Sequence, residues 1–291
     1  MSDEIKILER EDDAALSRRT FGALAAATGL AGAAAAGAAQ AATGVTESTV
    51  TIKTADGMCE ASLSRPQGKG RWPCVVMWPD AFGLRPVFRE MGKRLAGEGY
   101  VVLVPNQYYR SQPAQPEGVS INFGNPDDMK KFGALRAPLT PDAVARDGAT
   151  FIGYLDKQPF TKTAAKAGVV GYCMGGPMTL QTAAAVPSRV GAGCSCHGGG
   201  LVTDTPDSPH LLVPHIKARF YFAIAANDDQ RQPDAKDKLR QAFDAAHLPA
   251  KIEVYDGCQH GWCVPGQPVY NQAGAERAWA EMLALYKTAL V

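Results

Sequence analysis

The chain has 291 residues, with 30 Lys and Arg against 29 Asp and Glu and a formal net charge of +1. That balance excludes a nucleic-acid binder working through a general basic surface. With 46% hydrophobic and 20% charged residues it is not a disordered chain, and its seven cysteines are too few for a disulfide scaffold.

The first feature in chain order is Ser17-Arg18-Arg19-Thr20-Phe21, followed by a weakly apolar stretch rich in Ala and Gly. A twin arginine, a large apolar residue two positions on and such a stretch resemble a bacterial twin-arginine export signal. Ala39-Gln40-Ala41 supplies a small-x-small cleavage site. Residues 1–41 are therefore expected to be a signal that is removed, carried by the twin-arginine export machinery to the periplasm or beyond. Ala and Gly give little transfer energy per residue, so no stable membrane anchor is expected after processing. The remainder carries 26 Lys and Arg against 23 Asp and Glu, net +3, still too mild for a polyanionic partner.

Residues 42–291 show no repeat, low-complexity tract or long linker and are expected to form one domain. Short apolar runs predict strands at Val50–Lys53, Cys74–Trp78, Tyr100–Val104, Gly168–Tyr172, Val190–Cys194, Arg219–Ala225 and Lys251–Tyr255. Between them lie helical patterns. Thr140-Pro141 reads as an N-cap and first helical proline, with Val144, Gly148, Phe151 and Leu155 on one face. A last helix puts Trp279, Met282, Leu283 and Tyr286 on one stripe. This alternation predicts an α/β fold, a mostly parallel central sheet with helices on both faces. Residues 111–139, rich in Pro, Gly and Asn, read as a long excursion over one end of the sheet, where binding sites are shaped.

The most informative string is Gly168-Val169-Val170-Gly171-Tyr172-Cys173-Met174-Gly175-Gly176. An apolar strand runs into Gly-x-Cys-x-Gly-Gly and then a helical pattern, the spacing of a nucleophile elbow. Glycines two before and two after the apex are needed because side chains there collide across the tight turn. Cys173 would stand at a helix N-terminus, which favours a thiolate. The Met174 N–H would point where an oxyanion forms. Further on, Phe220–Ala225 runs into Ala226-Asn227-Asp228-Asp229, and Val254-Tyr255-Asp256-Gly257-Cys258-Gln259-His260-Gly261 ends a later strand. Nucleophile, acid and histidine in that order, each just past a strand end, is the order of α/β-hydrolases. Asp228 is the candidate acid, with Asp229 competing, and His260 is the candidate base.

From about residue 46 onward the chain resembles the dienelactone hydrolase family of α/β-hydrolases. The match lies in Gly-Tyr-Cys-x-Gly-Gly at Cys173, in the His-Gly turn at His260 and in Asp228 after its strand. The resemblance implies an acidic residue in Trp78-Pro79-Asp80-Ala81-Phe82-Gly83. Asp80 stands there one methylene shorter than the family's glutamate, which is linked to thiol activation, and Ala81 would supply the second oxyanion N–H. It further implies that Arg110, after Tyr108-Tyr109, grips a substrate carboxylate. The family's second such arginine falls at Val264, so half of that clamp is missing. His197 is expected to line the pocket, because its strand would neighbour the elbow strand.

The implied reaction is hydrolysis of a small-molecule ester or lactone through a Cys173–His260–Asp228 triad and a thioester acyl-enzyme, without a cofactor. Two other readings compete with it. Cys196, His197, Cys258 and His260 could furnish soft metal ligands, although neither spacing is a recognised zinc pattern. Disulfides among Cys59, Cys74, Cys194, Cys196, Cys258 and Cys263 are favoured over that metal site if the protein is exported. A non-catalytic binding protein on the same fold is the remaining alternative. Trp78, Phe82, Tyr108, Tyr109, Phe123 and Trp262 flank candidate site loops, as either aromatic walls or core.

Overall fold

The structure is a computed structural model that describes residues 44–291. The expected export segment, residues 1–41, lies outside the described residues, as does its expected processed start at Ala42.

Eight strands form one sheet in the order β1-β2-β4-β3-β5-β6-β7-β8. They are β1 (Val45–Thr54), β2 (Gly57–Pro66), β3 (Cys74–Trp78), β4 (Val101–Pro105), β5 (Ala167–Tyr172), β6 (Val190–Cys196), β7 (Arg219–Ala225) and β8 (Ala250–Tyr255). The first two form an antiparallel hairpin, and β2 pairs antiparallel with β4. From β4 to β8 every pairing is parallel. The buried parallel strands are those that read as continuous apolar runs, and β3 and β7 coincide with their predicted spans. β2 was not predicted as a strand. Its run Gly-Met-Cys-Glu-Ala-Ser-Leu-Ser-Arg-Pro is half polar, yet Ser62 and Ser64 are fully buried in it.

Side chains alternate across each strand and divide the core into two layers. Val75, Met77, Val170 and Tyr172 pack with α1 (Pro86–Gly97) and α7 (Gln272–Ala289). Cys74, Val76, Trp78 and Val169 pack with α3 (Pro141–Asp156), α4 (Gly175–Ala185) and α6 (Ala235–Ala245). The Thr140 hydroxyl accepts the Ala143 N–H at 3.2 Å, capping α3 as its sequence predicts. On α7, Trp279, Met282, Leu283 and Tyr286 are all buried.

Residues 111–139, expected as an excursion over the sheet, hold a helix, α2 (Pro126–Arg136). Asn125 caps it, its Oδ1 accepting the N–H groups of Asp127 and Asp128. Only Phe132 is buried on it, so it carries little amphipathic signal. A short helix, α5 (Ala226–Arg231), follows β7 directly. Among the described residues no helix is long and apolar enough to cross a membrane.

Candidate active site

Cys173 sits at the turn between β5 and α4 with φ +53°, a conformation that non-glycine residues rarely adopt. The turn is tight. A Cβ on Gly171 would overlap the Gly175 carbonyl, and one on Gly175 would come within 2.5 Å of the Trp78 carbonyl oxygen. The glycines on either side of the apex are therefore steric requirements. The Cys173 N–H donates to the Cys196 carbonyl at 3.0 Å and to His197 Nδ1 at 3.1 Å. The Cys173 backbone is thus held by the end of the neighbouring strand β6.

The three expected partners come together at the C-terminal ends of β5, β7 and β8. His260 Nε2 lies 3.0 Å from Cys173 Sγ, and His260 Nδ1 lies 2.6 Å from Asp228 Oδ2. Asp229 turns away and pairs with Lys236 at 2.6 Å, so Asp228 is the acid at the histidine. Two bonds fix the turn that carries His260. Its N–H donates to Asn227 Oδ1 at 2.8 Å, and the Ala226 N–H donates to the Cys258 carbonyl at 2.9 Å. Gly257 and Gly261 frame that turn with φ of +72° and +102°. Burial alone would lower the pKa of His260. Its hydrogen bonds to Asp228 and Cys173 outweigh burial and raise it to about 10.

Asp80 and Ala81 follow β3 and line the same cavity as Cys173 and His260, a space of about 910 Å³. Gln107 Nε2 donates to the Asp80 carbonyl at 2.7 Å, and the Tyr108 hydroxyl donates to the Ala81 carbonyl at 2.8 Å. A peptide unit is planar and trans, so pinning the Asp80 carbonyl aims the Ala81 N–H the opposite way. Among the described residues neither that N–H nor the Met174 N–H has an acceptor. Tyr108 is therefore a buried support of this loop rather than an aromatic wall.

The Asp80 carboxylate is committed elsewhere. Both oxygens pair with Arg85, at 2.6 and 2.8 Å, and Oδ1 also accepts the Phe82 N–H. Asp80 thus anchors its loop and has no oxygen left unpaired to act on the thiol. The sequence signal for Arg85 is its place five residues on, just before α1, but nothing in the sequence ties it to Asp80.

Arg110 departs from its expected role. Its guanidinium makes two bonds to Asp147, at 2.7 and 2.8 Å, and further bonds to Asp56, and it does not line the cavity. A cation so neutralised has no donor fork left for a substrate carboxylate. The cavity's arginines are instead Arg136, from α2, and Arg231, from α5. Val264 is fully buried.

His197 does line the cavity, with φ +41° and its ring 5.2 Å from that of His260. Trp262 backs it at 5.3 Å and is fully buried. Of the expected aromatic walls, Phe82 and Phe123 face the cavity, joined by Phe132. Trp78 packs on Phe151 in the core. Tyr109 bonds to Thr54 and Asp147.

The four proposed soft ligands do not converge. Among the described residues no three His, Cys, Asp or Glu side chains are grouped to hold a metal. The reason is topological. His197 and His260 are engaged with Cys173, whereas Cys196 and Cys258 lie in the core layer beneath α1 and α7. The expected disulfides are likewise absent, and all seven cysteines are free thiols. Cys59 and Cys74 lie in one core layer, and Cys194, Cys196, Cys258 and Cys263 in the other.

Comparison with known proteins places this architecture. The model of the dienelactone hydrolase family matches residues 59–290. Carboxymethylenebutenolidase of Pseudomonas sp. (strain P51) is 27% identical over 246 residues, covering 84% of this chain and 95% of that protein. The solved dienelactone hydrolase-like promiscuous phosphotriesterase P91 from metagenomic libraries superposes with a TM-score of 0.68 at 21% identity, covering 85% and 100% of the two chains. Dienelactone hydrolase from Anabaena variabilis superposes with a TM-score of 0.60 at 16% identity, covering 85% and 99%. The solved structures speak for the α/β-hydrolase fold.

Proposed function

The chain belongs to the dienelactone hydrolase family, and from that premise we propose that it hydrolyses a carboxylic ester or lactone through a thioester on Cys173. One observation carries the reading: His260 bridges Cys173 Sγ at 3.0 Å and Asp228 at 2.6 Å inside a cavity large enough for a small substrate.

Cys173, as thiolate, attacks the carbonyl carbon, and the carbonyl electron pair moves onto oxygen. The N–H groups of Met174 and Ala81 hold that oxyanion. The intermediate collapses, the C–O bond breaks, and His260 Nε2–H protonates the leaving alkoxide. The neutral imidazole then takes a proton from water. The hydroxide attacks the thioester, and the Cys173 sulfur leaves as thiolate beside the imidazolium. Asp228 keeps the ring oriented and offsets its charge throughout. The phenylalanines of the wall favour a planar unsaturated or aromatic acyl group.

The test is a panel of lactones, aryl esters and short-chain esters on the wild-type, Cys173→Ala and Cys173→Ser proteins. Cys173→Ala is expected to lose at least ~10³-fold in kcat/KM, with Cys173→Ser retaining more. Full activity in Cys173→Ala overturns the reading. Twin-arginine export is proposed alongside, resting on Arg18-Arg19 and the Ala39-Gln40-Ala41 site. Periplasmic protein beginning near Ala42, lost when both arginines become lysine, is the expected outcome.

A further inference from the structure

A second cavity, of about 360 Å³, lies on the other side of the sheet, between α1 and α7. It sits at the small end of the range for ligand sites, roughly 300–1,000 Å³. Met91, Ala275, Ala278 and Met282 make its apolar walls. Two wall residues carry polar groups without partners. Tyr172 is 2% exposed, and its hydroxyl meets no hydrogen-bond partner among the described residues. Among the described residues the indole N–H of Trp279 is buried and has no acceptor. A donor left unpaired on a cavity wall calls for an acceptor. An indole N–H can only donate, and a phenol can donate.

The mouth sets the charge of any occupant. Arg94, stacked 4.2 Å over Trp279, is held by both oxygens of Glu276. Its neighbour Lys93 pairs with Glu90. No cation is left over to favour an anion, and no carboxylate to favour a cation. The aromatic rings of Tyr172 and Trp279 favour a flat molecule. Cys196 and Cys263 complete the floor. Tyr172 and Cys196 immediately precede Cys173 and His197, so this cavity stands back to back with the catalytic turn.

We propose that this cavity is a second ligand site, taking a small, neutral, planar molecule that carries one hydrogen-bond acceptor oxygen, of the aromatic ketone class.

The test is a fluorine NMR titration of the full chain with 4-fluoroacetophenone, set against fluorobenzene and 4-fluorobenzoate. The expected result is saturable binding of the ketone, with fluorobenzene and the benzoate each weaker by about tenfold, the worth of one hydrogen bond or of a desolvated charge. Ala278→Phe, which fills the cavity, should abolish binding, and Ala275→Leu provides a second filling variant if the first does not fold. Alkylation of Cys173 should leave binding unchanged, because the catalytic cavity is a different space. The proposal is overturned by no saturable binding, by equal affinity for ketone and fluorobenzene, by binding that survives both filled variants, or by binding lost on alkylation of Cys173.

Discussion

His197 Nδ1 accepts the backbone N–H of Cys173 at 3.1 Å. A ring nitrogen that accepts carries no proton, so the imidazole keeps its proton on Nε2. Burial, and then the neighbouring His260, push the His197 pKa well below its ordinary value. The ring is therefore a neutral acceptor that steadies the strained elbow, and it adds no second cation beside His260. This predicts a graded substitution series. Asn tolerates the positive φ and offers an oxygen near the Nδ1 position, whereas Phe offers neither. His197→Phe should lower kcat by about 2–10-fold, the worth of one hydrogen bond, with KM little changed. His197→Asn should recover most of that loss. Equal kcat in the two variants would show that the acceptor has no part in positioning Cys173.

The pairing of His260 with Asp228 predicts a pH dependence of stability. The folded pKa of His260 is raised to about 10, with hydrogen bonds to Asp228 and Cys173 outweighing burial. A raised histidine stabilises the folded state fully below its unfolded pKa, roughly 6.5, and that contribution is lost as pH rises through about 10. Asp228→Asn removes the partner. Its loss of stability relative to wild type should be largest near pH 6 and should shrink as the pH approaches 10. Urea midpoints of both proteins at several pH values across this window measure it. A gap that widens toward pH 10 would contradict the pairing.

What the sequence disclosed, and what it hid, follows from the range of the interactions. The elbow was legible because its glycines answer a clash within five residues, Gly171 against Gly175. β3 and β7 were legible because strands buried on both faces must be apolar throughout. β2 was missed because its buried Ser62 and Ser64 read as polar, Ser62 being satisfied by Glu47 of the neighbouring strand β1. Arg110 could be placed by its local motif, but Asp147, the partner that occupies it, lies 37 residues away. Asp80 was found in the same way, while its commitment to Arg85 depended on how the loop folds back.

The Arg110–Asp147 pair has its own consequence. The Asp147 side chain is 2% exposed and that of Arg110 10% exposed, so this is a buried ion pair. Removing one partner leaves an uncompensated buried charge, at a cost of about 3–5 kcal/mol. Asp147→Asn should therefore lower the unfolding free energy by about that amount, softened by the remaining Asp56 contact. Arg110→Met removes the charge and the whole donor fork while keeping an apolar stem. The folded fraction of that variant should keep the wild-type KM for a substrate bearing a carboxylate. A rise in KM with kcat unchanged would instead mark Arg110 as a substrate ligand.

The cysteines separate by burial, and this can be read by thiol titration. Six of the seven are buried, and Cys173 alone is half-buried, in the cavity beside an imidazole whose pKa is raised to about 10. Burial pushes the Cys59 and Cys258 thiols above their ordinary pKa, and Cys74 to about 12, which leaves little thiolate to react, whereas hydrogen bonds to Cys194 and Cys263 lower Cys196 to about 5 and its burial alone keeps it from the reagent. With an aromatic disulfide reagent at pH 7, the native protein should lose one thiol quickly, and Cys173→Ser should lose none on that timescale. In denaturant without reductant all seven should react, because none is bridged. Fewer than seven under those conditions would establish a disulfide. An even deficit of two would then direct the search to pairs within one core layer, where Cys194 and Cys196 already bring their sulfurs to 3.8 Å.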